Sequence, residues 1–243
     1  MANQAELDLH RASVEALIKL DSSDPRRQAI EEMAQLDNIN AAGLQDVQVR
    51  PVQVAPKESA PVEVRRFSDE AREALTKEGY AIYALSGQSI RSLRESGRKL
   101  WSTWHRDSQY EAFETKGSMV SEVAVKPDAL FLPESNNETL KKQEDLIAKF
   151  STDLGKKVKG VEAIMGEAPD YVGVAFAHLD ATGDRLFGEK YDHNYARTKT
   201  PTVDSNVARV GDFNAVIGLS VNRWLRDHGD SSVFASPLVV PKS

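Results

Sequence analysis

Cysteine is absent from the 243 residues. Disulfides, thiolate metal ligands and thiol nucleophiles are therefore excluded, and the lack of disulfides suits a reducing compartment. No apolar run approaches the ~18 residues that a membrane span needs. The opening MANQAELDLHRASVEALIKL has neither the basic start nor the continuous apolar core of a secretory signal. The chain thus reads as soluble and cytoplasmic, with no membrane partner. Positive charge is also short: 31 Lys and Arg against 37 Asp and Glu leave a net charge of −6, which argues against tight nonspecific DNA binding by the whole molecule, since that requires neutralising phosphates. Missing as well are a glycine-rich phosphate loop, GxGxxG, GxSxG and HExxH. There is no internal repeat, and no cofactor is expected.

What is present is an ordinary globular composition, 40% hydrophobic and 28% charged, enough to bury a core. Residues 3–21 have Leu7, Val14, Leu17 and Ile18 on one helical stripe. Asp24-Pro25 opens a second helix, an N-cap followed by proline at the first helical position. Together they predict a helical hairpin within residues 1–43, whose thin apolar face needs a surface to dock on. From Gly43 to Arg66 the composition changes. Pro51, Pro56 and Pro61 recur among Val, Gln and Ala, and prolines deny ladder hydrogen bonds and favour extended chain. Residues 44–66 are read as a linker, and residues 67–243 as the main domain.

In that domain Ser68 is placed to cap a helix with Asp69 and Glu70 in its first turn and Gly79 at its end. YAIYAL (80–85) follows as a strand. Ile90, Leu93, Gly97, Leu100 and Trp104 are spaced 3, 4, 3, 4, which predicts one helix over 89–106. Arg91, Arg94, Arg98 and Arg106, with Trp101 beside them, make this the nucleic-acid candidate, because arginines hold phosphates and an indole stacks on bases. The bland alternative is that the tryptophans are core anchors and the arginines pair with the protein's own carboxylates. MVSEVAV (119–125) and ALFL (129–132) read as strands. Asn136 or Asn137 should cap a helix ending at Gly155 with Leu140, Ile147, Phe150 and Leu154 buried, and VEAIM (161–165) a short strand.

The stretch from Ala168 to Arg197 is richest in chemistry. Pro169 opens a helix whose stripe is Val172, Ala175, Phe176 and Leu179, and Gly183 breaks it. His178, Asp180, Asp184, Tyr191, Asp192, His193, Tyr195 and Arg197 crowd the end of this helix and the loop beyond it. Asp180 to Asp184 places oxygens as a calcium loop begins. Arg185 then stands where glycine must turn the chain, and Tyr191 where a bidentate glutamate belongs, so calcium is set aside. His178, Asp184, Asp192 and His193 are the candidate divalent-metal ligands. Asp192, His193 and Tyr195 are the candidate acid/base set. Against both stands the plainer reading of a helix cap and a loop whose tyrosines cover the core edge.

Thr198 to Thr202 reads as a polar turn. The tail from Val207 reads as β, although a helix over 213–225 also fits, and 233–241 returns as an edge strand because it contains Pro237. The composite expectation is an α+β domain on a mixed or antiparallel sheet with three to four helices. The leading function is a non-enzymatic interaction protein that binds a protein partner or itself. A metal-assisted hydrolase using the 178–197 loop is the first alternative, and nucleic-acid binding by 89–106 the second.

Overall fold

The computed structural model describes residues 65–101, 105, 110–202 and 206–242. The expected helical hairpin, all but the last two residues of the linker, and Arg106 lie outside the described residues. Among the described residues five α-helices and two β-sheets make an α+β fold, one helix more than the upper end of the three to four expected for the main domain. Among the described residues no helix is long and apolar enough to cross a membrane.

Helix α1 (Asp69–Lys77) begins at Ser68, whose hydroxyl accepts the Ala71 amide, and the chain turns at Gly79 with φ +84°, as expected. Strand β1 (Ala81–Ala84) follows. The predicted long helix is instead a six-residue helix, α2 (Ile90–Glu95), and a two-residue strand, β2 (Leu100–Trp101). Gly97 adopts φ +90°, a left-handed conformation that ends a helix. Leu100 and Trp101 then pair in parallel with Leu219 and Ser220. Helix α3 (Glu111–Thr115) and strand β3 (Glu122–Val125) come next.

The predicted strand 129–132 does not form. Pro127 opens a single 3₁₀ turn, Pro127–Ala129, and the segment beyond it is irregular. Helix α4 (Leu140–Lys157) is capped by Thr139 rather than by either asparagine, since Asn137 is left-handed at φ +58°. It runs through Gly155, and the reversal falls on Gly160 at φ +73°. Strand β4 (Val161–Ile164) and helix α5 (Ala168–Thr182) match their signals, with proline in the first turn and Gly183 left-handed at the C-cap.

The expected polar turn is strand β5 (Tyr195–Pro201). Its threonines are buried because their hydroxyls are satisfied: Thr198 donates to the Ala208 carbonyl, and Thr200 accepts the Ala168 amide. Strands β6 (Asn206–Asn214) and β7 (Gly218–Leu225) form a tight antiparallel hairpin, which removes the helical alternative over 213–225. Strand β8 (Val233–Phe234) pairs in parallel with β5, while β9 (Leu238–Pro241) crosses to the other sheet. There it lies between β3 and β4. The expected edge strand is therefore interior, and Pro237 sits in the break between β8 and β9, where no ladder hydrogen bond is lost.

The sheets run β1-β3-β9-β4, all antiparallel, and β2-β7-β6-β5-β8, mixed. Helix α5 touches β1 of the first sheet and β5 and β6 of the second. Tyr171, Val172, Val174, Ala175 and Phe176 are all buried, so it carries more than the single stripe predicted. Val123 and Val125 join the core around α5. Ala124 faces α1 and α4 with Leu75, Ile147 and Leu154. Both faces of the first sheet are thus covered, which is why β3 and β9 have no exposed residue.

Candidate functional site

Beyond α5 the chain is drawn into a loop by two apolar anchors, Leu186 and Phe187, both buried. Tyr191 packs edge-on against Phe131 with ring centroids 5.1 Å apart. Its hydroxyl donates to the Pro127 carbonyl at 2.8 Å and accepts the Leu130 amide at 3.1 Å. Lys190 reaches Asp128 at 2.9 Å. So pinned, the loop faces the β6–β7 hairpin. Together they enclose a cleft of about 690 Å³ whose lining includes His178, Asp184, Arg185, Asp192, Asp212 and Phe213.

The register of β6 against β7 shifts between Gly211 and Phe213, placing a β-bulge at Asp212. The freed amides serve the loop: Asp212 N–H donates to the Asn194 carbonyl at 3.2 Å and Phe213 N–H to the Phe187 carbonyl at 2.7 Å. Gly211 makes the approach feasible. A Cβ there would overlap the Asn194 carbonyl and lie 2.7 Å from the Tyr195 Cα. Asp212 and His193 both adopt positive φ, +48° and +59°, a region unusual for residues other than glycine, though His and Asp tolerate it better than most. Backbone strain of this kind clusters at functional positions.

The result is a cluster that the sequence shows only in part. His193 Nε2 lies 3.5 Å from Asp192 Oδ2 and His193 Nδ1 lies 3.8 Å from Asp212 Oδ2. One ligand atom from each of Asp192, His193 and Asp212 falls within 4.8 Å of the others. Tyr195 completes the group, its hydroxyl donating to Asp212 at 3.3 Å. Burial, then the Asp212 charge, push the Tyr195 hydroxyl above its ordinary range, so it remains a proton donor. Arg209 lies over the Tyr195 ring at 4.2 Å and the Trp224 ring at 5.0 Å, holding the phenol from behind.

Of the predicted metal set, Asp192 and His193 meet in this cluster. His178 and Asp184 line the same cleft but are not part of the cluster. The acid/base set of Asp192, His193 and Tyr195 comes together around Asp212. That residue was missed because only the long-range register of β6 brings it there; a lone Asp after Gly211 carries no local signal.

His178 is buried, and its Nδ1 meets the Tyr83 hydroxyl at 2.6 Å. Burial lowers its pKa against the pull of Asp184. Arg197, from the same stretch, turns fully inward. It donates to the carbonyls of Leu225, Arg226, Glu138 and His228, closing β5 onto the loop after β7. Burial lowers its pKa to about 10.

The described nucleic-acid candidates, Arg91, Arg94, Arg98 and Trp101, are spread over α2, the turn after it and β2. Arg91 pairs with Glu111, Arg94 with Glu114 and Arg98 with Asp180, and Trp101 is half-buried in β2. No family model, curated protein or solved structure matches this chain.

Proposed function

We propose that this protein binds a small ligand in the cleft between the 184–194 loop and the β6–β7 hairpin, through a divalent cation held at the rim by Asp192, His193 and Asp212. The convergence of these three groups carries the reading, because their sequence positions do not require it and two of them sit in unfavourable backbone regions to achieve it. Imidazole with carboxylates suits Zn²⁺, Mn²⁺ or Fe²⁺. Ligand atoms on one such ion lie roughly 2.0–2.2 Å from it, so the cluster must tighten. Asp192 and His193 are exposed and can move, while the half-buried Asp212 serves as the fixed point.

Three protein ligands leave coordination positions open, as in catalytic rather than structural sites. An ion there would polarise a bound oxygen or lower the pKa of a bound water, so metal-assisted hydrolysis is the reaction class this arrangement would support. Tyr195 acts as a positioning residue through its hydrogen bond to Asp212.

The non-enzymatic interaction reading rests partly on an exposed C-terminal edge strand, and β9 is interior. Its other grounds are the thin-faced hairpin on a proline linker and the absence of a strong catalytic motif, both features of the sequence. The nucleic-acid reading needs arginines with room for phosphates, and Arg91, Arg94 and Arg98 already hold carboxylates.

Calorimetric titration with Mn²⁺ and Zn²⁺ tests the proposal. One equivalent should bind, and Asp212→Asn or His193→Ala should weaken binding by at least roughly tenfold, the lower end of what removing even an outer partner costs a metal site. Absence of binding, or wild-type affinity in Asp212→Asn, would refute it.

A further inference from the structure

The cleft has an acidic wall and a histidine that the rim cluster does not use. Asp184, Glu189, Asp192 and Asp212 face it. Of the two cations on its lining, Lys190 is committed to Asp128 and Arg185 lies over the Phe213 ring at 5.7 Å. An anion entering the bare cleft would meet repulsion. Once a divalent ion sits at the rim, that repulsion becomes the attraction of open coordination positions for anionic oxygen.

His178 presents the second contact. Its side chain is more than nine-tenths buried at 7% exposure, and it lines the same cleft. Among the described residues only one of its two ring nitrogens is engaged: Nδ1, by Tyr83, with the two rings edge-to-face at 5.7 Å. Burial keeps the Tyr83 hydroxyl protonated well above neutral pH. Among the described residues the Tyr83 hydroxyl has no other acceptor, so its proton is paired only when the phenol donates and Nδ1 accepts. A neutral imidazole carries a single proton, so it must lie on Nε2. Desolvation outweighs the pull of the Asp184 charge and keeps the ring neutral. His178 offers the cleft one N–H donor whose tautomer Tyr83 sets.

We infer that the ligand of this cleft carries an anionic oxygen group, phosphoryl or carboxylate, bound on one side to the cation at Asp192, His193 and Asp212 and on the other to the Nε2–H of His178. A purely apolar ligand is disfavoured because it would leave that donor unpaired. The inference rests on the cation reading above and adds the chemical class of what the cation receives.

The probes are inorganic phosphate and acetate, titrated into the full chain with and without Mn²⁺. Phosphate should bind the Mn²⁺-loaded protein and not the metal-free one, and acetate tells a general carboxylate site from a phosphoryl-selective one. His178→Phe should weaken phosphate binding about tenfold or more, the usual effect of losing one hydrogen bond to a charged group. His178→Gln, which keeps an N–H, should recover most of it. Mn²⁺ affinity should be unchanged in both variants. Long-range ¹H–¹⁵N spectra of the metal-free protein should show Nε2 protonated and Nδ1 not, and Tyr83→Phe should mix the tautomers. Phosphate affinity indifferent to His178→Phe, or a protonated Nδ1, would overturn the inference while leaving the cation site standing. Failure of the wild type to take up Mn²⁺ would remove both.

Discussion

A single buried carboxylate shows how this chain spends its charge. Glu114 lies 1% exposed beneath α2, bonded to His105 and to Arg94 at 2.5 Å, with Arg91 Nε at 4.0 Å. Burial alone would raise its pKa, but the hydrogen bonds from His105 and Arg94 outweigh desolvation and hold it at about 2. Because the folded value is depressed, the stability it contributes is present above the ordinary glutamate pKa of about 4.3. That stability is lost as pH falls from there toward 2. Wild type should exceed Glu114→Gln in unfolding free energy from urea denaturation at pH 7, by a margin on the order of a few kcal/mol, and most of the gap should be lost on titration to pH 2.5. A gap independent of pH would mean that packing rather than ionisation is at work. Arg91 and Arg98 are likewise occupied by the protein's own carboxylates, Glu111 and Asp180.

The β6 bulge is the element on which the candidate site depends. Gly211 has no side chain because the chain at Asn194 and Tyr195 occupies that space, and this contact sets His193 opposite Asp212. Gly211→Ala should therefore abolish cation uptake and lower the thermal midpoint. Asp212→Asn should weaken uptake at least roughly tenfold with little effect on folding, because asparagine also accepts the left-handed backbone. Calorimetry and thermal denaturation on the two variants check this. Retained uptake in Gly211→Ala would detach the bulge from the site.

Elements fixed by short-range chemistry were legible in the sequence: the Ser68 cap, the Pro169 start and Gly183 stop of α5, and strands β1, β3 and β4. Those set by distant partners were not. The 3, 4, 3, 4 spacing over Ile90 to Trp104 fits a helix as well as it fits the α2, turn and β2 that form, and only pairing with β7 decides. Thr198 and Thr200 look like a loop until buried acceptors and donors are supplied by Ala208 and Ala168. Asp192, His193 and Tyr195 could be named together because they are neighbours in the chain, whereas Asp212 reaches them only through β6 register.

Over the whole described domain, the two sheets differ in what each needs before it can form. In the second, β6 and β7 are joined by a turn between Asn214 and Gly218 and pair along nearly their full length, a local contact with little loop entropy to overcome. The first has β9 at its centre. β4 pairs only with β9, through Val161↔Pro241 to Ile164↔Leu238, and β3 meets β9 at Ala124↔Val239, so that sheet cannot close until the far end of the chain arrives. Non-local pairing slows folding because the ordering entropy comes before the contacts that compensate it. Pulse-labelled hydrogen exchange during refolding should therefore protect the β6 and β7 amides before those of β4 and β9. Val161 to Ile164 should gain protection in the same phase as Leu238 to Val240, since neither strand has a complete ladder without the other. Early protection of β4 would mean that α4 stabilises it alone, and the division between a locally nucleated sheet and a late-closing one would fall.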